Sequence, residues 1–337
     1  MPKTENFGAS RDACIDNIRA FLMICVVLCH LLELVPDKPW AANALYYTIY
    51  IFHMPLFVYL SGMLSTNYEK CAKEAITRFL IPYLILNWLF CFLDEKIFSF
   101  FTPHHVLWFL LSMFFWKMSL LSFSRLKFAV FFAFTIALSA GTGSIFGYPL
   151  SLSRTAVFLP FFIMGALYGN VHKAILAKVH PAFSILLLIA LIGSGFFLYD
   201  KQYFSTDFLY MAKPYFSFDL SDFRGIELRA LVMLLAVFFN AAIIAIALKT
   251  KRIGGFTYLG ESSLSIYILH GIILIFLKKY KIFPFTLPDF VPSAYGSIFH
   301  CICALLLTFV IVLITGNKLV HTVSVLIYNL PKKLLSK

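Results

Sequence analysis

Ten mainly apolar stretches, separated by polar connections, constrain this chain more than any other feature. They lie at about 17–35, 42–64, 79–101, 105–122, 127–141, 154–171, 182–199, 228–248, 262–278 and 295–316. An α-helix needs about 20 such residues to cross ~30 Å of hydrocarbon. Composition agrees, with 61% hydrophobic and only 13% charged residues, where a soluble domain is about half apolar and a quarter charged. The reading is an all-α polytopic membrane protein of about ten transmembrane helices, forming a single membrane-embedded domain over 1–337 with no fused extracytoplasmic domain. The first apolar run follows a short polar segment with Arg11, Asp12 and Asp16 and has no small-residue cleavage site, so it is expected to stay as a signal anchor.

Loop charge orients the bundle. With a cytoplasmic N-terminus, the inner connections and tails hold 17 of the 28 basic residues, among them Lys70, Lys73, Arg78, Lys117, Arg125, Lys249, Lys251 and Arg252. The positive-inside rule then places both termini in the cytoplasm, with short tails at about 1–16 and 317–337. The formal charge of +12 is spread over many short connections, which suits anionic lipid and speaks against nucleic acid as a partner. The seven cysteines contain no CxxC pair and lie mostly in apolar stretches, so neither a disulfide framework nor a metal site is expected. The longest outer connection, about 200–227, either lies at the interface or covers a mouth on the outer face.

Against this apolar background, the first span carries Asp16, Arg19, His30 and Glu33. Eleven residues at about 100° each end ~20° past three full turns, so Arg19 and His30 share a face, about 16 Å apart along the axis. With Arg19 at the inner boundary, His30 falls near the bilayer centre, where an ionisable group defaults to a functional role. Asp16 and Glu33 stand three residues from Arg19 and His30 respectively, within side-chain reach. A neutral His30 is able to act as a base, with Glu33 either orienting it or lying at the outer interface. Arg19 is either an inner anchor or a cation for a charged ligand.

Other polar positions repeat the theme. "HMPLFVYLSG" places Ser61 and Gly62 late in the second span, Gly62 serving close backbone approach either to a ligand or to another helix. Arg78, in "TRFLIPYL", is either a phosphate ligand or a topology anchor. Trp108, in "HHVLWFL", fits an aromatic belt, and His270, in "SLSIYILHG", lies deep in the ninth span.

Taken in order, these pieces resemble the integral-membrane acyltransferase-3 family, and within it the fucose 4-O-acetylase-like sugar O-acetyltransferases. The carrying segments are "IDNIRAFLMICVVLCH" (Asp16, Arg19, His30), "MPLFVYLSG" (Ser61), "RFLIPYL" (Arg78), "LWFL" (Trp108), "RTAVFLPFFIMG" (Arg154) and "SIYILH" (His270). The resemblance implies a bacterial cytoplasmic membrane, acetyl-CoA or another acyl-CoA as donor substrate with no bound cofactor, and a glycan or lipid-linked sugar hydroxyl as acceptor. It implies His30 as base or acyl relay and Arg19 in donor binding or in holding the site. Arg78, Ser61 and Trp108 are then candidates near the donor. Some relatives carry a fused hydrolase-like domain that completes the transfer; here the expectation is a bundle that does the whole reaction or hands the acyl group to a separate periplasmic partner. The competing reading is a sugar-lipid transporter or flippase, since polar residues in a ten-span bundle also suit a translocation path. No internal repeat or broken-helix pair in the sequence supports it. A third keeps the enzyme and changes the acyl group, for instance to succinyl.

Overall fold

The computed structural model describes residues 12–143, 149–283 and 293–335, with side chains in the last segment from 295 to 329. Lys3, Arg11 and Pro292 lie outside the described residues. The major helices are α1 (Ala13–Leu34), α2 (Trp40–Met63), α3 (Tyr68–Lys73), α4 (Ile81–Leu93, led in by a π-helical turn Ile76–Leu80), α5 (Trp108–Phe123, led in by a 3-10 turn His105–Leu107), α6 (Ala129–Ser139) and α7 (Leu152–Leu176). They continue with α8 (Pro181–Asp200), the one-turn α9 (Thr206–Leu209), α10 (Asp222–Ala247), α11 (Gly254–Glu261), α12 (Ser263–Lys279), α13 (Ser293–Thr315) and α14 (Lys318–Leu335).

Among the described residues eight helices are long and apolar enough to cross a membrane, and α11 with α12 forms a helix pair bent by 73°, a ninth span if it crosses as one and a broken-helix pair that the sequence does not announce. The expected fifth span is the 11-residue α6, about 16 Å long and too short to cross as a helix alone. Packing nevertheless requires the chain to return there. Tyr59 and Met63 of α2 meet Gly165 of α7, and Met63 also meets Gly169, so these two helices run parallel. On α5, Trp108 lies against Arg154 and Phe158, and Trp116 stacks on Phe162, so α5 also runs parallel to α7. The chain between α5 and α7 therefore traverses back, with α6 at its centre. Its small buried face, Ala129, Ala133 and Ala137, permits close approach to neighbouring backbone. The ten apolar stretches thus correspond to eight long helices, one bent pair and one short return.

Capping residues set where α1 begins. The Asp12 carboxylate accepts the Cys14 N–H at 3.1 Å and pairs with Lys173, while Asp16 stands in the first turn, where an acid complements the helix dipole. Helix α1 consequently starts four residues earlier than its apolar run suggests. At this end Asn17 donates to the Thr250 hydroxyl and the Lys251 carbonyl, both at 3.0 Å, and accepts from Thr257 at 2.6 Å. Gly260 lies against the Asp16 carbonyl, which holds α11 beneath the inner end of α1.

Gly62 is explained by packing. A Cβ there would collide with the Phe162 carbonyl, and one at Gly165 with the Tyr59 carbonyl. Overpacking of this kind costs roughly 1–3 kcal/mol. Gly165→Val is therefore expected to lower the thermal unfolding temperature in detergent, and an unchanged transition would refute this close contact.

The tail expected after 317 is helical. Leu319, Val323, Leu326 and Ile327 of α14 are exposed on one side, while Ser324 reaches Ser265 at 3.2 Å and the Tyr328 hydroxyl donates to the Arg78 carbonyl. An exposed apolar stripe on such a helix suits the membrane interface.

Candidate functional site

A cavity of about 380 Å³ opens at the end of the bundle where α1 finishes, within the range of small-ligand sites. Its polar lining comes from six separate segments: His30 and Glu33 (α1), Tyr50 and His53 (α2), His105 and Trp108 (start of α5), Arg154 (α7), Tyr210 (the 201–221 connection) and Lys278 (α12). A narrower lobe of about 40 Å³ shares His30, Val26, Met54, Val106 and Trp108, then reaches inward past Met23, Phe57, Phe109 and Tyr267. His30 stands at the junction of the two.

The helical register of α1 creates this junction. Met23, Val26 and His30 line the narrow lobe together, which is the face read from the Arg19–His30 spacing. Helix α1 begins six residues before Arg19, and His30 is four residues from its last residue, Leu34. His30 is thus about 6 Å from the C-terminal end of α1.

Glu33 is the acceptor at the centre of the site. Its Oε1 accepts from the Tyr46 hydroxyl at 2.9 Å and from the Tyr50 hydroxyl, while Oε2 lies 3.2 Å from His30 Nδ1. Three donors suit a carboxylate, which has only acceptor sites when ionised. In that arrangement Nδ1 carries the imidazole proton and Nε2 keeps its lone pair. Behind His30, the His270 ring stacks at 5.7 Å. His270 Nδ1 donates to the Ile266 carbonyl at 2.8 Å, and its buried Nε2 has no partner among the described residues.

The outer connection closes one wall. Ser153 Oγ donates to the Met211 carbonyl at 2.7 Å, Arg154 Nε donates to the Tyr210 carbonyl at 3.0 Å, and the Tyr46 and Tyr210 hydroxyls are 2.6 Å apart. Burial, and then the charge of Glu33, pushes the Tyr210 pKa up to about 12, so this hydroxyl stays protonated. The aromatic connection therefore covers a mouth, the second of its two expected roles. The Arg154 guanidinium lies 5.0 Å from the Trp108 ring centroid, a cation–π distance that gives Trp108 a neighbour besides lipid.

The structure thus brings together His30, Glu33, Trp108 and Arg154, with His270 directly behind. It keeps four other candidates apart from them. Arg19 Nη1 meets Asp16 at 3.4 Å at the inner end. Arg78 Nε meets Glu74 at 2.7 Å, and Ser61 donates to the Phe57 carbonyl of its own helix at 2.9 Å; neither residue lines the two lobes. Sequence reading missed Tyr46, Tyr50 and Tyr210 as partners. Tyr46, Tyr50 and His53 recur at helical spacing as a polar stripe on α2 and were open to detection; Tyr210 sits in an irregular connection with no such signal.

Fold and site together define a polytopic membrane protein with an imidazole–carboxylate pair in a polar cavity open at one end of the bundle. The model of the acyltransferase-3 family, described as an acyltransferase domain, matches residues 12–316, and the chain belongs to that family. It is similar to the nodulation protein NolL of Sinorhizobium fredii (strain NBRC 101917 / NGR234), with 36% identity over 85 residues, 22% of this chain and 23% of the relative. The match therefore spans less than a quarter of that protein's length. No solved structure matches the chain.

Proposed function

We propose that the protein is a membrane O-acetyltransferase that moves an acetyl group from acetyl-CoA to a hydroxyl of a cell-envelope glycan or lipid-linked sugar, in a bacterial cytoplasmic membrane. The observation that carries this reading is the position of His30, between an inward-reaching narrow lobe and a wide outward-opening cavity. A pantetheine arm is a thin, flexible chain ending in the thioester, and the narrow lobe is where its tip would reach His30. A sugar is broad and rich in hydroxyls, which suits a cavity lined by imidazoles, tyrosines, Arg154 and Lys278. Arg19, on the same face of α1 about 16 Å inward of His30, stands where the donor's phosphates arrive.

In the reaction, His30 Nε2 removes the proton of the acceptor hydroxyl as its oxygen attacks the thioester carbonyl. The tetrahedral intermediate collapses with cleavage of the C–S bond, and the imidazolium returns its proton to the departing thiolate. Glu33 holds Nδ1–H throughout and stabilises the imidazolium. Arg154 is a donor at the cavity wall, placed to bind acceptor oxygens, while the Tyr210 hydroxyl, whose proton goes to Tyr46, offers a lone pair there.

Purified protein in liposomes, supplied with acetyl-CoA and membrane-extracted glycan lipid, tests the proposal. Release of free thiol together with acetyl ester on the glycan is the expected outcome. Glycan lipid crossing the membrane with no thiol release would favour a flippase instead, and thiol release from succinyl-CoA alone would reassign the acyl group.

A further inference from the structure

Asp94, His104 and His105 form a cluster at the outer rim that the transfer reaction leaves unused. One ligand atom from each lies within 4.8 Å of the others. Asp94 Oδ2 is 3.0 Å from His104 Nε2 and 3.7 Å from His105 Nε2. A tetrahedral zinc site with bonds of about 2.0 Å places neighbouring ligand atoms about 3.3 Å apart, so these two separations bracket the required edge.

Backbone conformation produces the convergence. Adjacent residues of an extended chain point their side chains to opposite sides. Here His105 has φ +46°, in the left-handed region that costs a non-glycine residue roughly 1–3 kcal/mol, and the two rings come within 4.3 Å. Fully buried Asn87 braces the turn: its Oδ1 accepts the His104 N–H at 2.8 Å and its Nδ2 donates to the Ser99 carbonyl at 2.9 Å. A loop-closing hydrogen bond needs one imidazole on Asp94. Two imidazoles on the same oxygen, held by a left-handed backbone, exceed that need.

We propose that Asp94, His104 and His105 bind a divalent transition metal of the zinc type, with its open coordination position facing the cavity that His105 lines. Two histidines, one carboxylate and one open position make a three-ligand set of the kind used where a fourth ligand exchanges. Lys96 and Lys278 act electrostatically on His104, and Lys278 also lines the cavity. With one carboxylate against a dication and two nearby ammonium groups, the open position favours an anionic oxygen ligand. The metal site stands independently of the transfer reaction; only a role in holding an acceptor oxygen rests on that reading.

The test uses full-length protein in detergent, freed of any affinity tag, stripped with chelator and dialysed against zinc chloride or, separately, cobalt chloride. Stoichiometric retained zinc and the visible absorption of four-coordinate cobalt are expected in the native protein. Asp94→Asn and His105→Ala are expected to weaken retention about tenfold or more with thermal transitions close to the native one. Loss of zinc on a brief wash, absence of the cobalt bands, or equal retention in native protein and both variants would overturn the site. Should a variant fail to fold, the cobalt spectrum of the native protein decides alone. A bound metal with no acetyl transfer in the same preparation would keep the site and sink the transfer reading.

Discussion

Replacing His30 by alanine is expected to lower acetyl transfer by about 10²–10⁴-fold, the usual contribution of a positioned general base. The bundle should remain folded. The His30 side chain is 26% exposed at the cavity wall, and its truncation leaves Glu33 with the Tyr46 and Tyr50 donors. No buried charge is stranded, so the large stability losses that follow such stranding are absent. The measurement is single-turnover thiol release in liposomes beside thermal unfolding of the same preparation. A variant that unfolds like the native protein and transfers within about threefold of it would remove His30 from the mechanism. The same experiment separates base from relay: with labelled acetyl-CoA and no acceptor, label that stays on native protein and not on His30→Ala would mark an acyl-imidazole, whereas base catalysis leaves the protein unlabelled.

Much of this site is legible along a single helix. The His30–Glu33 contact follows from three-residue spacing, and the stripe Met23, Val26, His30 follows from helical period. The apolar runs similarly announce their helices, because a bilayer demands them. What escapes sequence reading are features fixed by other segments or by local backbone. The start of α1 is one of these, since the Asp12 cap sets it six residues before Arg19. Ser61 lies outside the cavity, and its hydroxyl satisfies a carbonyl in its own helix, a local bond that sequence does not distinguish from an outward-facing donor. Tyr210 reaches Tyr46 across 164 residues, and Asp94 meets His104 and His105 only through a left-handed turn. Neither juxtaposition has a periodic signature.

Glu33→Gln provides the second large effect and probes a different link, the tautomer of His30. Glutamine preserves the shape of the site and still offers an oxygen to Tyr46 and Tyr50. The group then facing His30 Nδ1 is an amide NH₂, a donor, in place of a carboxylate oxygen. Nδ1 must become the acceptor, the proton moves to Nε2, and the base lone pair turns away from the cavity. The equivalent exchange in a serine-protease triad costs about 10⁴ in turnover, and a loss of about 10²–10⁴-fold in kcat with little change in donor KM is expected here. Tyr50→Phe removes one donor from Glu33 and leaves the tautomer intact, so its loss should be far smaller. The double variant His30→Ala, Glu33→Gln decides whether the pair works as a unit. If Glu33 acts only through His30, the double variant is no slower than His30→Ala alone, because groups acting together lose their contribution once. Multiplying losses would instead mean that Glu33 touches substrate in its own right, and the tautomer argument would fail even though both residues matter.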